Sequence, residues 1–212
     1  MGIMNMKILL IAQNARTALA ALVVALLAGC AAGNLPSAPA TAAVPDYKYL
    51  IGPGDQLDIV VWRSPELSGT VPVRPDGKIT SPLIEDMVAI GKDPTELARE
   101  IEDRLKKYIK DPVVTVVVKN FVGPSAEQIR VVGQAAKPQA LAYRQKMTLL
   151  DVMIAVGGIT EFAAGNRAVL VRRAEGDKQY NIRLRDLLKN SDVSANVEMM
   201  PGDVIIIPES WF

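Results

Sequence analysis

Asp76, Glu85 and Asp86 come nearest in this 212-residue chain to a pair of catalytic carboxylates. Two such groups across a cleft, roughly 5 to 9.5 Å apart, would suit glycoside hydrolysis. Two features weigh against that chemistry. Asp76 already has a turn role in Pro75-Asp76-Gly77, and no aromatic-rich sugar cleft is legible. The chain has no histidine, which excludes Ser-His-Asp and Cys-His catalysis and histidine-ligated metals. A single cysteine excludes an intramolecular disulfide and a cysteine cluster. The expectation is a protein that is not an enzyme, with no catalytic residue, no cofactor and no metal.

That one cysteine, Cys30, closes the segment Leu27-Ala28-Gly29-Cys30. Lys7 and Arg16 precede the apolar run Thr17 to Ala28, giving the charge pattern of a secretory signal. The run is shorter than the roughly 20 residues a spanning helix needs. Small residues before a cysteine read as a lipobox, cut before Cys30 and lipidated on it. An ordinary signal peptide or a short membrane anchor would use the same run, but the position of the only cysteine favours the lipobox. Met4 or Met6 would serve equally as initiator. By general resemblance to lipoproteins of diderm bacteria, in which an Asp after the cysteine favours inner-membrane retention, Ala31 implies the outer membrane. Ala31 to Pro45 is small residues and prolines, which bury no core and read as a flexible tether.

Half of the residues are hydrophobic but only 5% aromatic, so aliphatic side chains must build the core. The formal charge is +1, and with Lys7 and Arg16 set aside the body is near neutral. No basic run marks a nucleic-acid partner.

The elements follow from local signals. Leu57 to Trp62 reads as a strand after the turn Gly52-Pro53-Gly54-Asp55. Val71 to Arg74 and Lys78 to Thr80 read as a hairpin across Pro75-Asp76-Gly77. Asp93, Pro94 and Glu96 mark the N-cap, first and third positions of a helix. Its apolar face is Leu97, Ile101, Leu105 and Tyr108-Ile109, and Asp111-Pro112 ends it. Val113 to Val118 reads as a strand buried on both faces. In the second half, Ile129 to Val132 and Ala140 to Tyr143 read as paired strands. Thr148 to Val156 is helical and stops at Gly157-Gly158. Ala168 to Arg172 and Tyr180 to Ile182 form a hairpin, Leu184 to Leu188 a short helix, and Val204 to Ile207 a final strand.

Pro53-Gly54-Asp55 and Pro201-Gly202-Asp203 each launch an apolar strand. Pro-Gly-Asp is simply a good turn. The sharper reading is that both halves enter a buried strand in the same way.

In order, Tyr49-Leu50-Ile51-Gly52-Pro53-Gly54-Asp55-Gln56-Leu57, Val73 to Ile79, Ser81-Pro82-Leu83-Ile84 and the capped helix to Asp111-Pro112-Val113 resemble the polysaccharide biosynthesis and export family, of Wza type. Val131-Val132-Gly133, Leu149 to Val152, Gly157 to Thr160 and Pro201 to Ile205 resemble its soluble ligand-binding β-grasp (SLBB) domain. The likeness is greatest to the short forms of exosortase-type exopolysaccharide clusters. Glu85-Asp86-Met87 replaces a Gly-containing segment of many relatives. The resemblance implies an α+β fold: a β-rich export domain with one capped helix, then a β-grasp-like domain. It divides the chain into a signal peptide (1–29), a lipidated flexible tether (30–46), an export domain (47–122) and an SLBB domain (123–212).

It also implies a lipid-anchored homo-oligomeric ring on the periplasmic face of the outer membrane, passing polysaccharide and meeting an inner-membrane copolymerase. Longer members end in an amphipathic pore-forming helix. This sequence ends at Trp211-Phe212 after a strand, so a separate outer-membrane pore protein is expected. Arg63, Arg130 and Arg144 could line a passage, though each also reads as an ordinary exposed charge, and no polysaccharide-binding residue is assigned. A monomeric glycan- or copolymerase-binding module is the alternative.

Overall fold

The computed structural model describes residues 35–42 and 47–210. Cys30, the signal segment and Trp211-Phe212 lie outside the described residues. From Pro36 onward the chain forms one compact unit. Two hydrophobic cores sit within it, one after the other in sequence.

The first core is built on three antiparallel strands. β1 (Gln56–Val61) alternates, with Leu57, Ile59 and Val61 inward. It pairs with β2 (Gly69–Pro72) on one side. A separate two-stranded ladder follows, β3 (Lys78–Ser81) with β4 (Ile84–Val88). Helix α1 (Pro94–Leu105) starts as its sequence dictates: Asp93 accepts the Glu96 N–H at 2.8 Å, and Pro94 occupies the first turn. Leu97, Ile101 and Leu105 are fully buried at four-residue spacing. β5 (Val114–Asn120) then pairs with β1, and the sheet order is β2-β1-β5. Buried Glu102 fastens helix to strand, accepting the Val114 N–H at 2.9 Å and pairing with Arg99 at 2.7 Å.

Three expectations need correction here. The turn at Pro75-Asp76-Gly77 exists, with Arg74 N–H donating to the Lys78 carbonyl, but β2 and β3 do not form a hairpin. Each strand finds its partner elsewhere, in β1 and β4. The helix ends at Leu105, before Tyr108-Ile109. Residues Val113 to Val118 are buried on one face only. Val114 and Val116 point inward, while Val113 and Val117 are exposed.

The second core is a five-stranded sheet. In chain order come β6 (Ile129–Gly133), β7 (Gln139–Leu141), helix α2 (Leu149–Ala155), β8 (Ala168–Arg172), β9 (Lys178–Ile182), helix α3 (Leu184–Lys189) and β10 (Val204–Ile207). The order is β7-β6-β10-β8-β9. First and last strands, β6 and β10, lie parallel in the middle, and antiparallel partners flank them. This is the β-grasp-like arrangement the sequence implies. Thr148 caps α2 through a reciprocal pair with Asp151, and Gly157 and Gly158, both at positive φ, end it. Leu149, Val152 and Met153 of α2 pack with Ile129, Val131, Leu170, Ile205 and Ile207 from one sheet face. Mixed helices and sheets make the fold α+β, as expected.

Pro36 to Ala42 is not a free tether. The Asn181 N–H donates to the Pro36 carbonyl at 2.8 Å and the Ala38 N–H to the Asn181 carbonyl at 3.3 Å. Further along, the Glu198 N–H donates to the Ala40 carbonyl at 2.9 Å, and the Ala42 N–H to the Glu198 carboxylate at 2.8 Å. A segment without a core of its own thus borrows the unpaired edge of β9 and covers it.

Candidate functional site

Between the two cores the chain runs through Phe121-Val122-Gly123-Pro124, and one carboxylate organises that crossing. Asp55 is fully buried. Its Oδ2 accepts the Gly52 N–H at 2.8 Å and the Tyr49 hydroxyl at 2.7 Å. Its Oδ1 accepts the N–H groups of Val122 at 2.7 Å and Gly123 at 2.9 Å. Four donors on one carboxylate form a set of charge-assisted bonds that replaces its lost hydration. The approach is close: a Cβ on Gly52 would stand 2.0 Å from the Gly123 carbonyl carbon.

The second Pro-Gly-Asp repeats the local part of this device. Asp203 is fully buried, its Oδ2 accepts the Met200 N–H at 2.9 Å, and the Asp203 N–H returns to the Met200 carbonyl. Gly54 and Gly202 both take positive φ, 92° and 81°. The echo in the sequence is therefore a shared entry into a strand. The two aspartates differ in company. Oδ1 of Asp203 has no hydrogen-bond partner among the described residues, and the buried Arg172 Nε stands 3.6 Å from Oδ2. Burial pushes the Asp203 carboxyl up to about 6 against the opposing pull of the Met200 N–H and Arg172.

Fixing Tyr49 and the 121–123 crossing places aromatic side chains together. A cleft of about 610 Å³ is lined by Tyr47, Tyr49, Phe121 and Tyr143, with Arg144 and Gln145 among its polar groups. Tyr49 meets Phe121 edge to face at 5.3 Å between centroids, and Tyr47 meets Tyr143 at 4.8 Å. Leu141, Ala142, Met147 and Ala155 complete an apolar wall. The Tyr47 hydroxyl donates to Glu127 at 3.1 Å. Burial raises the Tyr47 and Tyr49 phenols well above their ordinary range, reinforced by Glu127 and Asp55 respectively. Both therefore stay neutral donors. In a chain with only 5% aromatic residues, this concentration corrects the expectation that no aromatic-rich cleft exists. No local pattern announces it, because its members are scattered over about a hundred positions and Asp55 joins them.

Of Arg63, Arg130 and Arg144, which the sequence reads equally as ordinary exposed charges, Arg144 lines this cleft. Arg130 reaches the Ser125 carbonyl at 2.7 Å, and Arg63 sits exposed in the turn after β1. Asp76 and Asp86 both pair with Arg74, Asp86 at 2.6 Å, in an exposed position. Arg74 holds the Asp76 carboxyl below its usual range, the reverse of what a general acid needs. Glu85 is exposed beside them. Cys30 lies outside the described residues, among which no group of three or more potential metal ligands assembles.

Comparison with known proteins adds two family matches in tandem. The profile described as "Polysaccharide biosynthesis/export protein" covers residues 43–119, and that of the SLBB domain covers residues 127–207. The chain is 30% identical over 181 residues to the EPS I polysaccharide export outer membrane protein EpsA of Ralstonia solanacearum, covering 74% of this chain and 47% of that protein. It is 27% identical over 171 residues to the capsule polysaccharide export outer membrane protein CtrA of Neisseria meningitidis, covering 72% and 42%. A third relative, the polysialic acid transport protein KpsD of Escherichia coli, is 23% identical over 159 residues, covering 75% and 28%. The chain thus spans about half the length, or less, of these relatives. With the export profile on its first core and the SLBB profile on its second, the chain belongs to the polysaccharide biosynthesis/export family.

Proposed function

We propose that this protein works in exopolysaccharide export as a non-enzymatic component of an outer-membrane machine, held at the periplasmic face by a lipid on Cys30. In this reading the signal peptide (1–29) is removed, residues 47–122 and 123–212 act as export and SLBB domains, and several copies close into a ring around the polymer. An inner-membrane copolymerase delivers the chain, and a separate outer-membrane pore protein receives it. The reading is supported by relatives named for export of capsule and exopolysaccharide.

The observation that carries a direct role for this chain is the aromatic cleft at the crossing between cores. The faces of sugar rings are apolar and their C–H groups carry partial positive charge, which suits the negative faces of aromatic rings. Arg144 and Gln145 offer donors to sugar hydroxyls. Such contacts are individually weak, as transient handling of a moving polymer requires. The same cleft would serve a monomeric glycan-binding module, which remains the second reading.

Titrating the full chain with oligosaccharides cut from the producing cell's own exopolysaccharide, followed by tyrosine fluorescence, tests the cleft. Weakened binding in Phe121→Ala, with an unchanged circular dichroism spectrum, is expected. Equal binding by Phe121→Ala and Arg144→Ala would remove the cleft from the reading.

A further inference from the structure

The three middle strands of the sheet, β6, β10 and β8, carry apolar residues on both faces, but α2 covers only one. On the other, strand register sets Val132, Ile206 and Val169 in one row across β6, β10 and β8. Arg130, Val204 and Val171 form the next row. Val132 and Ile206 are exposed, and Val169, Val171 and Val204 are half-buried. β-branched residues in adjoining rows make a contiguous apolar patch, the kind a soluble surface seldom leaves without a partner. The strap over Pro36 to Ala42 runs along the β9 edge.

A second apolar stripe lies on α2. Leu149, Val152 and Met153 face the sheet, while Leu150 and Ile154, one turn apart, are exposed, Ile154 at 70%. The layer order is open sheet face, sheet, helix, open helix stripe. The two patches therefore face away from each other on one body. A contact between two such different patches is heterologous, and repeating it gives a ring when the rotation closes.

The geometry points to a head-to-tail interface between copies of this chain, in which the Leu150/Ile154 stripe of one copy seats on the Val132/Val169/Ile206 face of the next. This inference deepens the ring reading above and rests on it. Helix on sheet is the packing that the second core already uses internally, with the same side-chain types. Charge favours the same pairing. Arg130 ends one row of the sheet patch, and Arg173 follows β8. Asp151 lies beside the helix stripe, its carboxyl held ionised by the N–H and hydroxyl of Thr148. A sheet-to-sheet dimer would instead bring like charges together.

The test uses the full chain in mild detergent and native mass spectrometry. Wild type is expected to give one assembly of several copies. Ile206→Glu spoils only the sheet patch and Ile154→Glu only the helix stripe, so each alone should lose about tenfold or more of its association. An equimolar mixture of the two should form 1:1 dimers, because each supplies the patch the other lacks. Tyr108→Ser, exposed and just past α1 in the first core, should assemble as wild type does. Circular dichroism confirms that each variant is folded. Assembly unaffected by either variant, or sensitive to Ile206→Glu alone, would overturn the head-to-tail interface while leaving a ring possible. A wild-type monomer at every concentration would overturn the ring reading itself.

Discussion

The Asp55 carboxylate accepts the backbone N–H of Gly123, 68 residues downstream, at 2.9 Å. Its neighbour Val122 donates to the same oxygen. A turn residue from the first core thus fixes the path by which the chain enters the second. Asp55→Ala would leave buried N–H groups without acceptors, and hydrogen bonds to a charged group contribute about 1.5–3 kcal/mol each. The expected loss is about 3–5 kcal/mol by urea denaturation. Asp55→Asn should fall between, since its amide nitrogen must oppose one pair of donors. Gly52→Ala, whose methyl meets the Gly123 backbone, should disturb the same crossing.

Asp203 gives a dependence on pH with a definite sign. Burial raises its folded-state pKa from 3.8 to about 6, so the folded protein holds a proton there that the unfolded chain releases. Its contribution to stability is present below about pH 4 and is lost as pH rises toward and through 6. The change is on the order of 2 kcal/mol. Asp203→Asn lacks this titration. The stability of wild type relative to Asp203→Asn should therefore fall between pH 4 and pH 7 in paired urea melts. A flat or rising difference would contradict the burial argument.

Thr148 and Asp151 satisfy each other's backbone at the start of α2. Thr148→Ala should cost about 1 kcal/mol. Ile101→Ala, which empties a fully buried site under α1, should cost about 2–5 kcal/mol. Thermal or chemical melts that ranked the two in the opposite order would contradict this account of the cores.

The strap makes a prediction about exchange. Amides of Ala38, Ala42 and Asn181 are donors in the strap contacts. They should be protected in hydrogen–deuterium exchange, and Glu198→Ala should speed exchange at Ala42. Immediate exchange at all three would restore the tether that composition implied.

What was legible in the sequence was what neighbours decide. Asp93-Pro94 with Glu96 caps α1 within four residues, and Glu175-Gly176-Asp177 turns β8 into β9. The family motifs located both halves. Partner choice was not legible: Pro75-Asp76-Gly77 makes a good turn, yet β2 pairs with β1 through contacts set by the whole core. Val113 to Val118 read as buried throughout because its outward positions, Val113 and Val117, are as apolar as its inward ones. The cleft was hidden for a related reason, since Tyr49 and Phe121 meet only after Asp55 has closed the crossing.

Polymer at the cell surface is the most direct measure of the central claim. In the producing bacterium, the gene for this chain is deleted and restored either as wild type or with Phe121→Ala and Arg144→Ala together. Surface and envelope-retained polysaccharide are quantified alongside protein level. The account expects the deletion to abolish surface polymer, wild type to restore it, and the double variant to restore less at equal protein level. Undiminished surface polymer in the deletion strain would contradict a role in export.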